Sequence, residues 1–161
     1  MLLKEMLKNA ANFPEKVIAV AAADDERMVT VINEAVRLQL ASFLLFGNEA
    51  KLEQLLKEKG VNHKFVKIVP TKNELEAAHE AVKAVHSGRA DILMKGMVPT
   101  SVLLKAVLNK EYGLRCGRLF SHVAAFDIPG YERLIFITDS AMNVAPTLQQ
   151  KKEIVENTVQ V

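Results

Sequence analysis

Short apolar runs alternate with amphipathic segments between residues 16 and 109. Runs rich in Val, Ile, Leu and Phe are typical of buried strands, and they occur at Lys16–Ala22, Ser42–Phe46, Lys64–Val69 and Asp91–Met94. Apolar residues at helical spacing follow each run, up to Leu40, Lys59, His86 or Ser87, and Asn109. Four strand–helix units in succession predict an α/β fold, with a mostly parallel sheet, right-handed crossovers and helices on both faces.

Capping residues support these helix starts and ends. Asp24 and Asp25 are candidate N-caps of the first predicted helix, and Asn48 is the candidate for the second. Gly60 stands where the second helix needs a left-handed residue after its last turn. The run Thr71–Glu74 has capping-box spacing, which predicts that its hydroxyl and its carboxylate cap the third helix together.

The pattern changes after residue 114. Two predicted strands, Leu119–Phe126 and Leu134–Thr138, are separated by a short segment that contains Pro129-Gly130, and this favours an antiparallel hairpin. A last helix is predicted to begin after Pro146, with a capping box at residues 147–150, and to run to the final residue. We therefore expect a first α/β domain at residues 1–114 and the start of a second, truncated domain at residues 115–161.

Composition narrows the class of protein. The 161 residues carry 21 Lys plus Arg and 19 Asp plus Glu, a net charge of +2, which argues against nucleic acid or an anionic membrane as the main partner. The single cysteine, Cys116, excludes an internal disulfide framework and suits a reducing compartment. The longest apolar run, Val17–Ala23, is far too short for a bilayer span, and residues 1–5 do not resemble a signal peptide. We expect a cytoplasmic protein.

Common cofactor and metal motifs are absent from the sequence. It has no G-x-G-x-x-G fingerprint, no P-loop and no Cys/His zinc spacing, so no metal site is predicted. His79 and His86 are seven residues apart on one predicted helix, where solvated or capping histidines are the commoner case. Cys116, between Arg115 and Arg118, is a candidate acyl carrier, although buried structural cysteines are commoner.

The turn after the fourth predicted strand is a candidate anion site. Lys95 and Gly96 end that strand, and Thr100 and Ser101 open the next helix. Ligands of parallel α/β proteins bind outside the carboxyl ends of the strands, and free N–H groups at a helix N-terminus attract anions. Gly96 permits close backbone approach, Lys95 adds a charge, and the two hydroxyls add donors. The alternative is an ordinary N-cap beside a solvated lysine, and the spacing does not decide between them.

A second polar loop lies between the last predicted strand and the last predicted helix. Asp139, Ser140 and Asn143 either form part of a site or make Asx and Ser turns. If this loop faces the Lys95–Ser101 turn, a phosphate can sit between the two.

Longer stretches around both segments carry a family resemblance. They are residues 90–115 (ADILMKGMVPTSVLLKAVLNKEYGLR) and 119–146 (LFSHVAAFDIPGYERLIFITDSAMNVAP). The Lys-Gly-x-Val-Pro-Thr-Ser turn and the Asp-x-Ala-x-Asn-x-x-Pro loop are the specific pieces, and Ala-Ala-Ala-Asp-Asp after the first strand also fits. The chain resembles the phosphate acetyl/butyryl transferase family over essentially its whole length, and the phosphate butyryltransferase branch most closely.

The resemblance implies an activity and a fold. Members exchange an acyl group between coenzyme A and inorganic phosphate, so that acyl-CoA and phosphate give acyl phosphate and free CoA by direct attack in a ternary complex. The implied substrates are acyl-CoA and phosphate, with no permanently bound cofactor. The implied fold is that of isocitrate and isopropylmalate dehydrogenases, with two α/β domains around a cleft and commonly a dimer.

Site residues follow from the two matching motifs. The family's phosphate-binding turn corresponds to Lys95, Gly96, Thr100 and Ser101. Its second loop corresponds to Ser140 and Asn143, which are expected to position phosphate or the carbonyl oxygen. Apolar residues near both motifs either line an acyl pocket or pack the loops: Met97, Val98 and Val144.

Family members continue beyond the point where this chain stops. The resemblance therefore implies an N-terminal half, with the main catalytic groups expected beyond Val161. The hairpin strands then lack sheet partners, and because open edges favour pairing with another copy, we expect a homo-oligomer.

Two other functions stay open. A non-catalytic module that binds CoA or an anion, or serves only in assembly, predicts phosphate affinity near residues 95–101 but no phosphate-dependent release of thiol. A response-regulator-like phosphoacceptor domain ranks lower, because it needs an aspartate at the end of the third strand, where Val69-Pro70-Thr71 stands.

Overall fold

A computed structural model describes residues 3–10 and 12–160. In chain order its elements are α1 Leu3–Ala10, β1 Lys16–Ala21, α2 Glu26–Arg37, β2 Ala41–Gly47, α3 Glu49–Lys59, β3 Val66–Pro70, α4 Glu74–His86, β4 Ile92–Lys95, α5 Thr100–Val107, β5 Val123–Phe126, β6 Ile135–Thr138 and α6 Leu148–Val159. They form two compact units, one of Phe13–Arg115 and one of Met1–Asn12 with Cys116–Val161. The domains 1–114 and 115–161 stay a prediction.

The larger unit is a four-stranded parallel sheet with strand order β3-β2-β1-β4. One core forms where β1 and β2 meet α4 and α5, and it is rich in alanine on the α4 side. A second core joins the sheet to α2 and α3 through Ile32, Leu52 and Leu56, all fully buried. Each such side chain stabilises the fold by about 1.5–3 kcal/mol. Helices on both faces of a parallel sheet confirm the predicted α/β class.

Two predicted features of this unit are wrong in detail. Residues His63–Phe65 form a 3₁₀ turn rather than the start of β3, because the Asn62 side chain accepts a hydrogen bond from the Lys64 N–H. The capping box at Thr71–Glu74 does not form. Asn73 caps α4 instead, with its Oδ1 2.9 Å from the Glu76 nitrogen.

Other local predictions are confirmed. Asn48 caps α3, and Gly60 ends it with φ of +64°. Asp25 caps α2, whose last helical residue is Arg37 rather than Leu40. Gln39 follows in a left-handed conformation, φ +54°, which no helix can continue through.

The smaller unit contains the hairpin. β5 and β6 pair antiparallel, from Val123 opposite Thr138 to Phe126 opposite Ile135. The Tyr131 N–H donates to the Ile128 carbonyl across Pro129-Gly130, and Gly130 has φ of +91°, as a type II turn requires. The predicted hairpin is confirmed.

Residues before β5 are tied to α6 instead of extending the strand. The Leu119 N–H donates to the Glu153 carboxylate at 3.2 Å, and the Asn157 amide donates to the Leu119 carbonyl at 2.9 Å. β5 therefore begins at Val123, four residues later than predicted from Leu119. The predicted capping box of Thr147 and Gln150 is present at the start of α6.

Helix α1 was not predicted from the sequence. Its Leu3 N–H donates to the Asp127 carboxylate in the hairpin loop at 3.3 Å, within the same unit. In the part of the chain that the structure describes, no helix is both long and apolar enough to cross a membrane.

Candidate functional site

The crevice between β1 and β4 is where this topology places a ligand. β1 and β4 are neighbours in the sheet, but β1 leads into α2 on one face and β4 into α5 on the other. Loops that part in this way leave a crevice at the carboxyl ends of the two strands, the usual ligand position in open α/β sheets. Four of the predicted site residues, Lys95, Gly96, Thr100 and Ser101, lie at this edge.

Gly96 is needed because the turn after β4 approaches the backbone at the end of β1 closely. Its N–H donates to the Ala21 carbonyl and the Met97 N–H to the Ala22 carbonyl, both at 2.8 Å. A Cβ on Gly96 would lie 2.2 Å from the Ala22 oxygen and 2.6 Å from the Ala21 oxygen. Ala22 itself is left-handed, with φ of +56°. The glycine therefore lets the turn close onto the end of β1, and its N–H is not available to a ligand.

The start of α5 lacks a side-chain cap. Asp25, Asn48, Asn73 and Thr147 cap α2, α3, α4 and α6, whereas Pro99 at the start of α5 has no side chain that can accept a hydrogen bond. Within the described ranges, the first two amide groups of this helix, those of Thr100 and Ser101, donate no hydrogen bond. An anion is one of the groups that can complete such a helix end, and water is another.

Three exposed polar side chains belong to this turn and to the first two positions of the helix. Lys95 donates to the Gly96 carbonyl at 3.3 Å and so lies along the turn. Thr100 and Ser101 occupy the first two helical positions. The turn thus carries one cation, two hydroxyls and two backbone N–H groups within residues 95–101, a set of donors that suits phosphate.

Asp139 organises the second predicted loop. Its carboxylate accepts hydrogen bonds from the Asn143 backbone at 2.9 Å, from the Asn143 amide at 2.7 Å and from the His122 backbone at 3.2 Å. The Asn143 amide also donates to the Phe120 carbonyl at 3.0 Å. The amide nitrogen of Asn143 therefore stabilises the loop through hydrogen bonds within it, while Ser140 is exposed. This loop belongs to the smaller unit and the Lys95–Ser101 turn to the larger one.

Asp139 makes the stability of this loop pH-dependent. Desolvation raises the pKa of Asp139, but hydrogen bonds from the Asn143 side chain and from the backbones of His122, Asn143 and Met142 outweigh it, so the pKa lies below its ordinary value. A carboxyl whose folded pKa is lowered stabilises the fold above its unfolded pKa, and this stabilisation is lost as the pH falls through the folded pKa.

We therefore predict that Asp139→Asn lowers the melting temperature at pH 7, because an amide then faces the donors of Asn143. The gap to the wild type should begin to narrow near about pH 4, where the Asp139 carboxyl of the unfolded chain takes up a proton, and should close as the pH falls through the lower pKa of the folded state. Scanning calorimetry across this range checks both points. Glu132→Gln, at an exposed carboxyl of the same unit, is the control. A gap that stays constant with pH contradicts the role of the Asp139 charge.

A polar cavity, which no sequence motif predicts, lies beside the crevice. Its volume is about 110 Å³, and it lies at the carboxyl ends of β1, β2 and β3 against Asp24, Gly47 and Asn73. The Thr71 hydroxyl oxygen on its wall is buried and has no hydrogen-bond partner among the described residues. The sequence signal for this wall is a hydroxyl directly after a strand, but the capping-box spacing predicts that the same hydroxyl caps α4.

Other candidates from the sequence have structural roles. His79 hydrogen-bonds the Tyr112 hydroxyl at 3.1 Å and His86 the Gly113 carbonyl at 3.0 Å, so both attach the segment after α5 to α4. Cys116 is exposed, which makes the buried structural interpretation wrong. No group of three or more His, Cys, Asp or Glu gathers to hold a metal within residues 3–10 and 12–160.

Comparison with known proteins decides the family. The family described as "Phosphate acetyl/butaryl transferase" matches residues 71–161, more than half of the chain and including both candidate segments. The chain belongs to this family. The uncapped start of α5 and the Asp139 loop both lie within the part of the chain that matches the family.

Individual relatives agree with the family match. The chain is 48% identical to the probable phosphate butyryltransferase of Bacillus subtilis (strain 168). That match covers the full length of this chain and 53% of the relative. It is also 41% identical to the phosphate butyryltransferase of Clostridium beijerinckii. That match covers 96% of this chain and 51% of the relative. A branched-chain phosphotransacylase from Enterococcus faecalis V583 superposes with a TM-score of 0.74 at 31% identity, covering 90% of this chain and 50% of that one. The chain therefore spans about half the length of the curated relatives it matches.

Proposed function

We propose that this chain is part of a phosphate acyltransferase that exchanges a butyryl, branched-chain or acetyl group between CoA and inorganic phosphate. The observation that carries the proposal is the uncapped N-terminus of α5, beside Lys95, Thr100 and Ser101 at the β1/β4 crevice. It is supported by the family of the chain and by relatives named phosphate butyryltransferase and phosphate acetyltransferase.

The proposed chemistry needs phosphate held as a nucleophile. A phosphate oxygen forms a bond to the thioester carbonyl carbon, the carbon–sulfur bond breaks, and the CoA sulfur leaves as a thiolate that takes a proton from solvent. Lys95 offsets the phosphate charge, and the hydroxyls and free N–H groups of Thr100 and Ser101 orient it. We assign Ser140, which is exposed, to positioning phosphate or the carbonyl oxygen, and Asn143 to holding the loop of Ser140, because its amide already donates to the Phe120 carbonyl and the Asp139 carboxylate. We assign the main catalytic groups to the part of the relatives that this chain does not cover.

The proposal includes the setting of the reaction. Acyl-CoA and phosphate are substrates and no resident cofactor is needed. One exposed cysteine suits a reducing cytoplasm. A homo-oligomer is supported by the hairpin, where among the described residues β5 and β6 pair only with each other and each leaves one edge open.

Phosphate-dependent release of thiol tests the activity. The purified chain is incubated with butyryl-CoA, with and without phosphate, and free thiol is followed with a chromogenic disulfide. Release that requires phosphate supports the transferase. No release from a folded sample, together with measurable phosphate binding, favours the second candidate, a non-catalytic fragment that binds CoA or an anion. The non-catalytic candidate is retained because the chain covers only about half the length of these relatives.

Ser101→Ala separates binding of phosphate from binding of acyl-CoA. Loss of one hydroxyl donor to phosphate is expected to raise the apparent KM for phosphate about tenfold and to leave the KM for butyryl-CoA nearly unchanged. Ser42→Ala, at a partly buried position in β2, is a control for the substitution itself. An unchanged KM for phosphate removes this role from Ser101.

A further inference from the structure

Ala22, directly after β1, has an uncommon backbone conformation. Its φ is +56°, and among the described residues only two other non-glycine residues have positive φ, Gln39 and Asp139. Left-handed backbone is easy for glycine and tolerated by asparagine and aspartate, whereas it is unfavourable for alanine. Such a residue persists only where surrounding contacts enforce its conformation, and residues of this kind concentrate at functional sites.

The left-handed backbone turns the Ala22 carbonyl toward β4. The Ala21 carbonyl already accepts a hydrogen bond from the Gly96 N–H on that side, at 2.8 Å. Consecutive carbonyls of an extended strand point to opposite sides, so the next carbonyl of a continued strand would face β2. The Ala22 carbonyl instead accepts from the Met97 N–H, also at 2.8 Å. Two consecutive carbonyls of β1 and its end therefore hold the turn after β4.

The peptide group that follows Ala22 is also anchored to β2. Its N–H belongs to Ala23, which is fully buried, and donates to the Phe46 carbonyl at 2.9 Å. The next residue, Asp24, lies against Gly47, where an added Cβ would come 2.7 Å from the Asp24 Oδ1. All of these groups belong to the larger unit. Contacts to both neighbouring strands thus keep the backbone of Ala22 left-handed.

The hydrogen bond to Met97 constrains the start of α5. Only two residues separate Met97 from Thr100, the first helical residue. Val98 is 2% exposed and packs in the alanine-rich core, and the ring of Pro99 restricts its φ, which is −56°. With Met97 bound to Ala22, the free N–H groups at the helix start have little freedom to reorient. Binding groups held in place in advance lose less entropy when a ligand binds.

We propose that Ala22 is a positioning residue for the phosphate site. Its left-handed backbone holds the Lys95–Ser101 turn against the end of β1 and so sets the direction of the free N–H groups of α5. Ala22 acts on phosphate through Met97 and does not itself contact the substrate. This inference rests on the proposed function, which places phosphate at the start of α5.

Phosphate titration by calorimetry tests this role without requiring turnover. Ala22→Val is expected to weaken phosphate binding about tenfold or more, because a β-branched side chain opposes left-handed backbone. Ala22→Gly accepts this backbone freely and should keep the phosphate affinity within about threefold of the wild type. Gln39→Val is the matched control. It adds the same strain at an exposed left-handed residue before β2, at the opposite edge of the sheet, and should lower stability without changing phosphate affinity.

Gly96→Ala disturbs the same contact from the other side and decides the question if Ala22→Val does not fold. Its Cβ pushes the turn away from the Ala21 and Ala22 carbonyls, and the Gly96 N–H is not a phosphate ligand. Phosphate affinity should therefore also fall about tenfold, and the double variant should lose little more than either single variant.

Two results overturn the role of Ala22 and leave the phosphate site in place. One is wild-type phosphate affinity in a folded Ala22→Val chain or in Gly96→Ala. The other is an equal loss of affinity in Gln39→Val, which would make the effect one of general stability. A wild-type chain that binds no phosphate overturns the proposed site itself and this role with it.

Discussion

Replacing Gly96 by alanine is expected to destabilise the larger unit by about 3 kcal/mol, which corresponds to a fall in melting temperature of about 10 °C. The added Cβ would lie 2.2 Å and 2.6 Å from two carbonyl oxygens at the end of β1. Both atoms belong to the backbone of the central sheet, so they cannot move aside as a flexible side chain does. The turn must shift instead, and the hydrogen bonds from Gly96 and Met97 to β1 lengthen or break.

Gly88→Ala is the matched control for this effect. Gly88 has φ of +73° but no atom within 4 Å of an added Cβ, so the substitution costs only the strain of a left-handed alanine, about 1–2 kcal/mol. Chemical denaturation of both variants checks the difference. If Gly96→Ala is no less stable than Gly88→Ala, the close approach to β1 does not determine the stability of the turn.

Helix α3 shows what the sequence predicts well. Its start and its end depend on the side chain of Asn48 and on the left-handed backbone of Gly60, and both act within a few residues. Helix α4 shows the limit of such local signals. Thr71 and Asn73 are both good capping residues, and the choice between them depends on where β3 ends and how the chain reaches the helix.

The candidate site also has features that the local sequence predicts and features that depend on distant parts of the chain. A strand followed by a helix start locates the Lys95–Ser101 turn from sequence alone. The role of Gly96 could not be predicted, because it depends on β4 lying next to β1 although more than 70 residues separate them in the chain. For the Asp139 loop, the sequence is compatible with both a site and an Asx turn. The structure shows the Asp139 carboxylate holding the loop through donors of residues 122 and 143, a wider span than the two residues of an Asx turn, and the site role stays a prediction.

Lys95→Ala is expected to lower the rate of phosphate-dependent thiol release about 100-fold, or about 2.7 kcal/mol of transition-state stabilisation. Lys95 is the cation adjacent to the uncapped helix end, and charge-assisted hydrogen bonds to phosphate are stronger than those of the neutral hydroxyls nearby. Lys67→Ala, which removes an exposed lysine from β3, changes the net charge equally and is expected to leave the rate unchanged. Phosphate titration by calorimetry gives a second readout that does not require turnover.

The two readouts separate the two candidate functions. If the chain is a transferase, Lys95→Ala reduces both phosphate affinity and thiol release, because the same cation holds phosphate before and during attack. If the chain only binds an anion, affinity falls in the variant while the wild type releases no thiol. Unchanged phosphate affinity in Lys95→Ala is incompatible with both candidates at this turn. In that case the exposed lysine is an ordinary solvated side chain, and the free N–H groups of α5 are satisfied by water.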